Sequence, residues 1–140
     1  MTVRLEDSLC RFLDPDLWNP EDNRPTYMAF RASQRQLSLW HKATIERAGD
    51  ELDDLCFGAL DGFGHGLLTP SDCIEAAKHT ASPTFGPNVY WRPSAAEEAW
   101  NRWRDAHVQV ESTSGDQSFP KSYRLELALR CQVVKPPTAR

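Results

Sequence analysis

Apolar residues recur along the chain at two spacings, and each predicts a different element. Leu5, Leu9, Phe12 and Leu13 stand at i, i+4, i+7 and i+8, the face of a short helix that Asp14-Pro15 ends. Three prolines within residues 14–25 then predict an irregular, Pro-rich surface loop anchored by Leu17 and Trp18. Residues 27–31 and 36–40 are short, apolar and aromatic-rich, the pattern of two strands turned back on each other by Ser33-Gln34-Arg35. Between residues 42 and 55, Ile45, Ala48, Leu52 and Leu55 step by three and four. Gly49 weakens that stripe, so it predicts one kinked helix or two short ones.

Residues 56–60 and 63–68 flank Asp61-Gly62, a dipeptide suited to the positive φ angles of a hairpin turn. Thr69 can cap and Pro70 suits the first helical position, while Asp72 favours the positive end of the helix dipole. Together they predict a helix to about His79. Val89-Tyr90-Trp91 reads as a buried strand. Ser94 and Glu97 make a capping box for a helix whose stripe runs through Ala96, Ala99, Trp100, Trp103, His107 and Val110. After a polar loop, Tyr123, Leu125, Leu127, Leu129, Cys131 and Val133 alternate with more polar residues, which predicts one long amphipathic strand.

Strands interleaved with two or three helices give a single α+β domain over residues 1–140, with the helices packed on one face of a mainly antiparallel or mixed sheet. Residues 135–140 read as a flexible tail. At 140 residues and 40% hydrophobic content the chain can bury a core without metal or disulfide staples. It carries a net charge of −4, with 8 basic and 14 acidic residues in 1–80 and 8 basic and 6 acidic in 81–140. Neither part is basic enough for a nucleic-acid footprint. No window approaches the length of apolar sequence that spans a membrane.

Cys10, Cys56, Cys73 and Cys131 lie 46, 17 and 58 residues apart, too far for the paired spacing of zinc ribbons or redox motifs. With Arg4, Glu6 and Asp7 where a signal peptide needs an apolar run, they read as reduced thiols of a cytoplasmic protein. His41, His65, His79 and His107 include no compact ligand pair, so no metal and no cofactor is expected.

The most unusual stretch is Asp61-Gly62-Phe63-Gly64-His65-Gly66. Glycines let backbone amides approach a ligand, yet the stretch lacks the Lys-Ser/Thr of a P-loop and the spacing of a dinucleotide site. Hairpin packing is the leading account. A ligand or anion loop of Gly62, Gly64 and Gly66 with Arg31 and Arg92 is the alternative. His65 and Cys73 are the minimum pair for an activated thiolate, against the commoner role of cysteine as a small buried hydrophobe. Arg11, Arg24, Arg31, Arg35 and Arg92 beside aromatic or proline residues suit either carboxylate recognition or surface charge pairing. Of the five tryptophans, Trp18 and Trp40 lie at a loop and a strand end and are expected at a partner-binding surface with Arg24 and Arg35.

Leu9-Cys10-Arg11-Phe12, Arg24-Pro25, Ala29-Phe30-Arg31 and Leu37-Ser38-Leu39-Trp40, followed by Asn88-Val89-Tyr90, resemble the order of short motifs in a family of short uncharacterised bacterial cytosolic proteins. The likeness spans roughly two-thirds of the chain and departs at Ala32-Ser33 and in the tail after Gly115. It implies a bacterial cytosolic origin and attaches no activity. The functional expectation is therefore a non-enzymatic protein-binding protein, an adaptor, inhibitor or immunity-like partner of a larger bacterial protein. The alternative is a small enzyme or a nucleotide- or anion-binding module built on residues 62–66, His65 and nearby arginines.

Overall fold

A computed structural model describes residues 3–13, 15–19, 21, 24–30, 36–47, 49, 64–80, 87–91, 106–112 and 119–134. The strands are β1 (Leu9–Leu13), β2 (Trp18–Asn19), β3 (Arg24–Pro25), β4 (Gln36–His41), β5 (Gly64–Leu68), β6 (Pro87–Trp91), β7 (His107–Ser112) and β8 (Gln132–Val134). The helices are α1 (Lys42–Arg47), α2 (Pro70–Ala77) and α3 (Lys121–Arg130), with 3-10 turns at Pro15–Leu17 and Tyr27–Phe30. Six strands form one sheet in the order β6-β7-β4-β1-β5-β8, every pair antiparallel, and β2 and β3 form a small hairpin. The α+β expectation is met.

Alternation along each strand sorts the sheet into two faces. One face presents Leu9, Leu13, Leu37, Leu39, Leu68, Val108, Val110 and Val133 to Cys73 and Ala76 of α2 and to Tyr123, Leu127 and Ala128 of α3. Trp18, Ala29, Phe30 and Phe119 complete this main core. Tyr123 ties the two helices together, its hydroxyl donating to the Cys73 carbonyl at 2.8 Å. The other face holds a smaller cluster in which Cys10, Trp40 and Leu67 meet Ile45 of α1 and Ala106.

Four expected elements change type. Of the stripe expected from Leu5 to Leu13, Leu9–Leu13 is strand β1 and Leu5 stands exposed in a turn before it; Leu9 and Leu13, four apart, share a face in a strand as well as in a helix. Residues 27–30 form a 3-10 turn rather than a strand, with Ala29 and Phe30 buried. The long strand expected over residues 123–133 is helix α3 followed by the three residues of β8. Residues 121–130 hold Leu, Glu, Ala, Arg and Lys, strong helix formers without a β-branched member, and the strand begins only where Val133 and Val134 appear. In the same way His107 and Val110, expected to end a helix, lie in β7, where Val108 and Val110 face the core.

The other expectations within the described residues hold at Gln36–His41, Lys42–Arg47, Pro70–Ala77 and Pro87–Trp91. Gly49 follows α1 with φ +90°, a conformation that stops a helix and that glycine adopts freely. The turn at Ser33-Gln34-Arg35, the Asp61-Gly62 turn, the Ser94 cap and the tail lie outside the described residues.

At the head of α2, Thr69 Oγ1 accepts from the Asp72 amide at 3.0 Å and Asp72 Oδ2 accepts from the Thr69 amide at 3.0 Å. Thr69→Ala removes one half of this box and is expected to cost about 1 kcal/mol in urea unfolding. An unchanged midpoint would mean that α2 is held by its buried face alone.

Candidate functional site

A helix cannot bury apolar residues spaced by two, and α3 shows the consequence. Each step of two residues turns about 200° around the axis, so Tyr123 and Leu127 share one face while Leu125 and Leu129 fall on another. Tyr123 and Leu127 are fully buried, whereas Leu125 and Leu129 are 44% and 56% exposed. Ser122, Leu125, Glu126 and Leu129, at i, i+3, i+4 and i+7, form one wall of an open groove of about 840 Å³.

The β2–β3 hairpin and the turn after it make the opposite wall through Asn19, Arg24, Pro25, Thr26 and Tyr27, and His79 beyond α2 also lines the groove. The wall is held in place by Trp18 in the core, by the Thr26 amide donating to the Leu17 carbonyl at 2.8 Å, and by Phe30 at the far end of the Tyr27 turn.

Arg24 is the arginine of the lining, and two further cations, Lys121 and Arg124, stand outside the lining against the Tyr27 ring. The Tyr27 ring lies 4.9 Å from Lys121 Nζ and 5.1 Å from Arg124 Cζ, within cation–π range. Arg124 Nε is buried and has no hydrogen-bond acceptor among the described residues, where Arg24 also forms no ion pair. Glu126, the groove's acid, is 3.7 Å from Arg130. Pro120 at the head of α3 supplies no side-chain cap, and the first turn has no acidic residue to complement the helix dipole.

The residues expected from sequence separate in space. Trp18, expected at the surface, is 6% exposed and part of the main core, because the loop it anchors folds its indole inward beside the hairpin. Trp40 is half-buried on the opposite sheet face, its ring edge-on to His107 at 5.8 Å. Arg24 is exposed and lines the groove. Gly62, Arg31, Arg35 and Arg92 lie outside the described residues.

His65 and Cys73 do not meet. His65 shares the sheet face of Leu67 and Cys10, and Cys73 sits in the main core on the other side. Burial pushes the Cys73 thiol up to about 12, the opposite of an activated nucleophile. Gly64 and Gly66 belong to β5, paired with Leu13 and Arg11, so they are strand residues rather than a ligand loop. The geometry does assemble one Asp–His–hydroxyl chain. His41 Nε2 lies 3.0 Å from Asp7 Oδ2, and His41 Nδ1 lies 2.9 Å from Thr44 Oγ1. Asp7 is held below its usual range by the Arg4 amide and by His41, so it accepts and Nε2 carries the proton. Nδ1 then accepts from the Thr44 amide at 3.3 Å and caps α1, while Thr44 Oγ1 receives Arg47 Nη2 at 3.1 Å. These contacts are those of a helix cap.

Sequence reasoning missed Leu125, Leu129, Tyr27, Lys121 and Arg124. The signal was available in the helix-forming composition of residues 121–130, which turns an alternating pattern into two exposed leucines. Among the described residues no helix is long and apolar enough to cross a membrane. No family model, curated protein or solved structure matches the chain.

Proposed function

We propose that this chain is a non-enzymatic protein-binding module, an adaptor, inhibitor or immunity-like protein, that docks a larger bacterial partner in the groove between α3 and the β2–β3 hairpin. The observation that carries the reading is the pair Leu125 and Leu129, 44% and 56% exposed on the wall of a groove whose other wall is fixed to the core. Two large apolar side chains one helical turn apart give up solvent on docking, and interfaces draw their energy from a few such buried anchors. The net charge of −4 argues against nucleic acid as the partner, and the bacterial cytoplasm is the setting that the motif resemblance suggests.

The test compares wild type with Leu125→Ser/Leu129→Ser as immobilised bait in lysate of the source organism, with mass spectrometry of what is retained. Both positions are exposed, so the unfolding midpoint should move little while the specific partner is lost. Equal retention by the double variant would overturn the groove as docking surface. Loss through Trp40→Ala alone would move that surface to the opposite sheet face.

A further inference from the structure

The groove has a sign as well as a shape. We infer that its occupant is an acidic segment of the partner protein carrying leucine-class anchors, with carboxylates on the Arg24, Lys121 and Arg124 side and the anchors on Leu125 and Leu129. This rests on the docking role proposed for the groove and specifies its chemistry.

Two sets of cations bear on the sign of the groove, Arg24 in its lining and Lys121 with Arg124 beside it against the Tyr27 ring. Arg24 is exposed on the hairpin wall with no ion pair among the described residues, in a chain whose net charge is −4. Lys121 and Arg124 stand in the first turn of α3, where the helix dipole is positive, and no acidic residue or side-chain cap offsets them. Cations there weaken the helix locally, an arrangement that an incoming carboxylate would relieve. Arg124 packs its guanidinium on the Tyr27 ring and adds positive charge beside the groove, the sign that a carboxylate complements. Glu126 on the same wall already lies beside Arg130, so it does not neutralise the hairpin side.

The leucines set the second requirement. Between the cationic rim and the apolar wall a wholly acidic segment would leave Leu125 and Leu129 in water, and a wholly apolar one would desolvate Arg24 and Lys121 without recompense. A segment that alternates the two classes satisfies both.

The experiment uses the full-length chain and three fluorescein-labelled synthetic peptides that share the same leucines and differ only in the residues between them, Glu, Gln or Lys, read by fluorescence anisotropy. The Glu peptide should bind at least about fivefold more tightly than the Gln peptide, the Lys peptide should not bind, and the preference should shrink as salt is raised. Arg24→Gln/Lys121→Gln should erase most of the Glu-over-Gln preference, chiefly by weakening the Glu peptide. Leu125→Ser/Leu129→Ser should abolish binding of both. Equal binding of the Glu and Gln peptides, or a preference for Lys, overturns the acidic assignment and leaves the docking role standing. Binding of no peptide, or binding that survives the leucine substitutions, removes the docking role and the acidic assignment with it.

Discussion

Gly66→Ala is expected to destabilise the protein by roughly 1–3 kcal/mol, and Cys131→Ala in the same chain should return most of that loss. β5 lies between β1 and β8, and Gly66 is paired with Arg11 on one side and Val133 on the other, so its backbone is fixed by two ladders. A Cβ added there would run into Cys131 Sγ and would meet Leu13 Cδ1 at 3.5 Å. Cys131 caps α3 and is 5% exposed, so its sulfur is packed inside the core. Either the thiol leaves its place in the core or the end of α3 lifts from the sheet. Cys131→Ala alone loses one buried sulfur and is expected to cost about 1 kcal/mol. The pair should therefore be far less than additive in urea unfolding of the wild type, both single variants and the double variant. Additive costs would show that something other than the sulfur excludes a side chain at Gly66.

The same glycine shows where the sequence was legible. Glycines spaced along a short apolar run are compatible with a ligand loop or with close packing, and the sequence ranks packing first without naming the neighbour. The neighbour is Cys131, 65 residues later in the chain, and no local pattern connects the two. Local chemistry read well wherever it sufficed. The Thr69–Asp72 box, Pro70 at the helix start and the alternation in β4 involve residues within a few positions of one another. Patterns that two periods share read badly. Leu9 and Leu13 fit a strand and a helix equally, and the run from Tyr123 to Val133 alternates like a strand while its composition favours a helix. Propensity won there because α3 can bury Tyr123, Leu127 and Ala128 against α2 and the sheet. The groove was hidden by that one misreading, since a strand would have turned Leu125 and Leu129 toward the core. Arg24 can be singled out in the sequence beside Pro25, but the residues that line the groove with it belong to elements that only the tertiary fold brings together.

Arg11→Ala is expected to be the most damaging single change at a charged position, costing about 3–5 kcal/mol, because it deletes two charge-assisted hydrogen bonds and leaves their acceptors unmet. The β1–β4 ladder pairs Leu9 with His41 and Cys10 with Trp40. Just beyond it, Arg11 Nη1 donates to the Ser38 carbonyl at 2.9 Å and Nε to the Ala29 carbonyl at 2.9 Å. Burial pulls the guanidinium down to about 10, so it stays charged at neutral pH despite its apolar surroundings. One side chain thus fastens β1 to β4 and to the turn that carries Tyr27. The segments around Cys10, Phe30 and Leu39, scattered in sequence, meet at this guanidinium. Arg11→Lys keeps the charge but has one compact donor group in place of a fork, so it can serve one carbonyl well and should fall between wild type and alanine. Urea unfolding checks this order. Loss of the Ala29 bond also frees the wall that holds Tyr27 and Arg24 opposite α3, so Arg11→Ala should weaken the proposed docking in the groove even at a temperature where the chain stays folded. Arg11→Lys should recover stability and docking together. Recovery of stability without docking would mean that Arg11 shapes the groove wall through more than the strength of the fold.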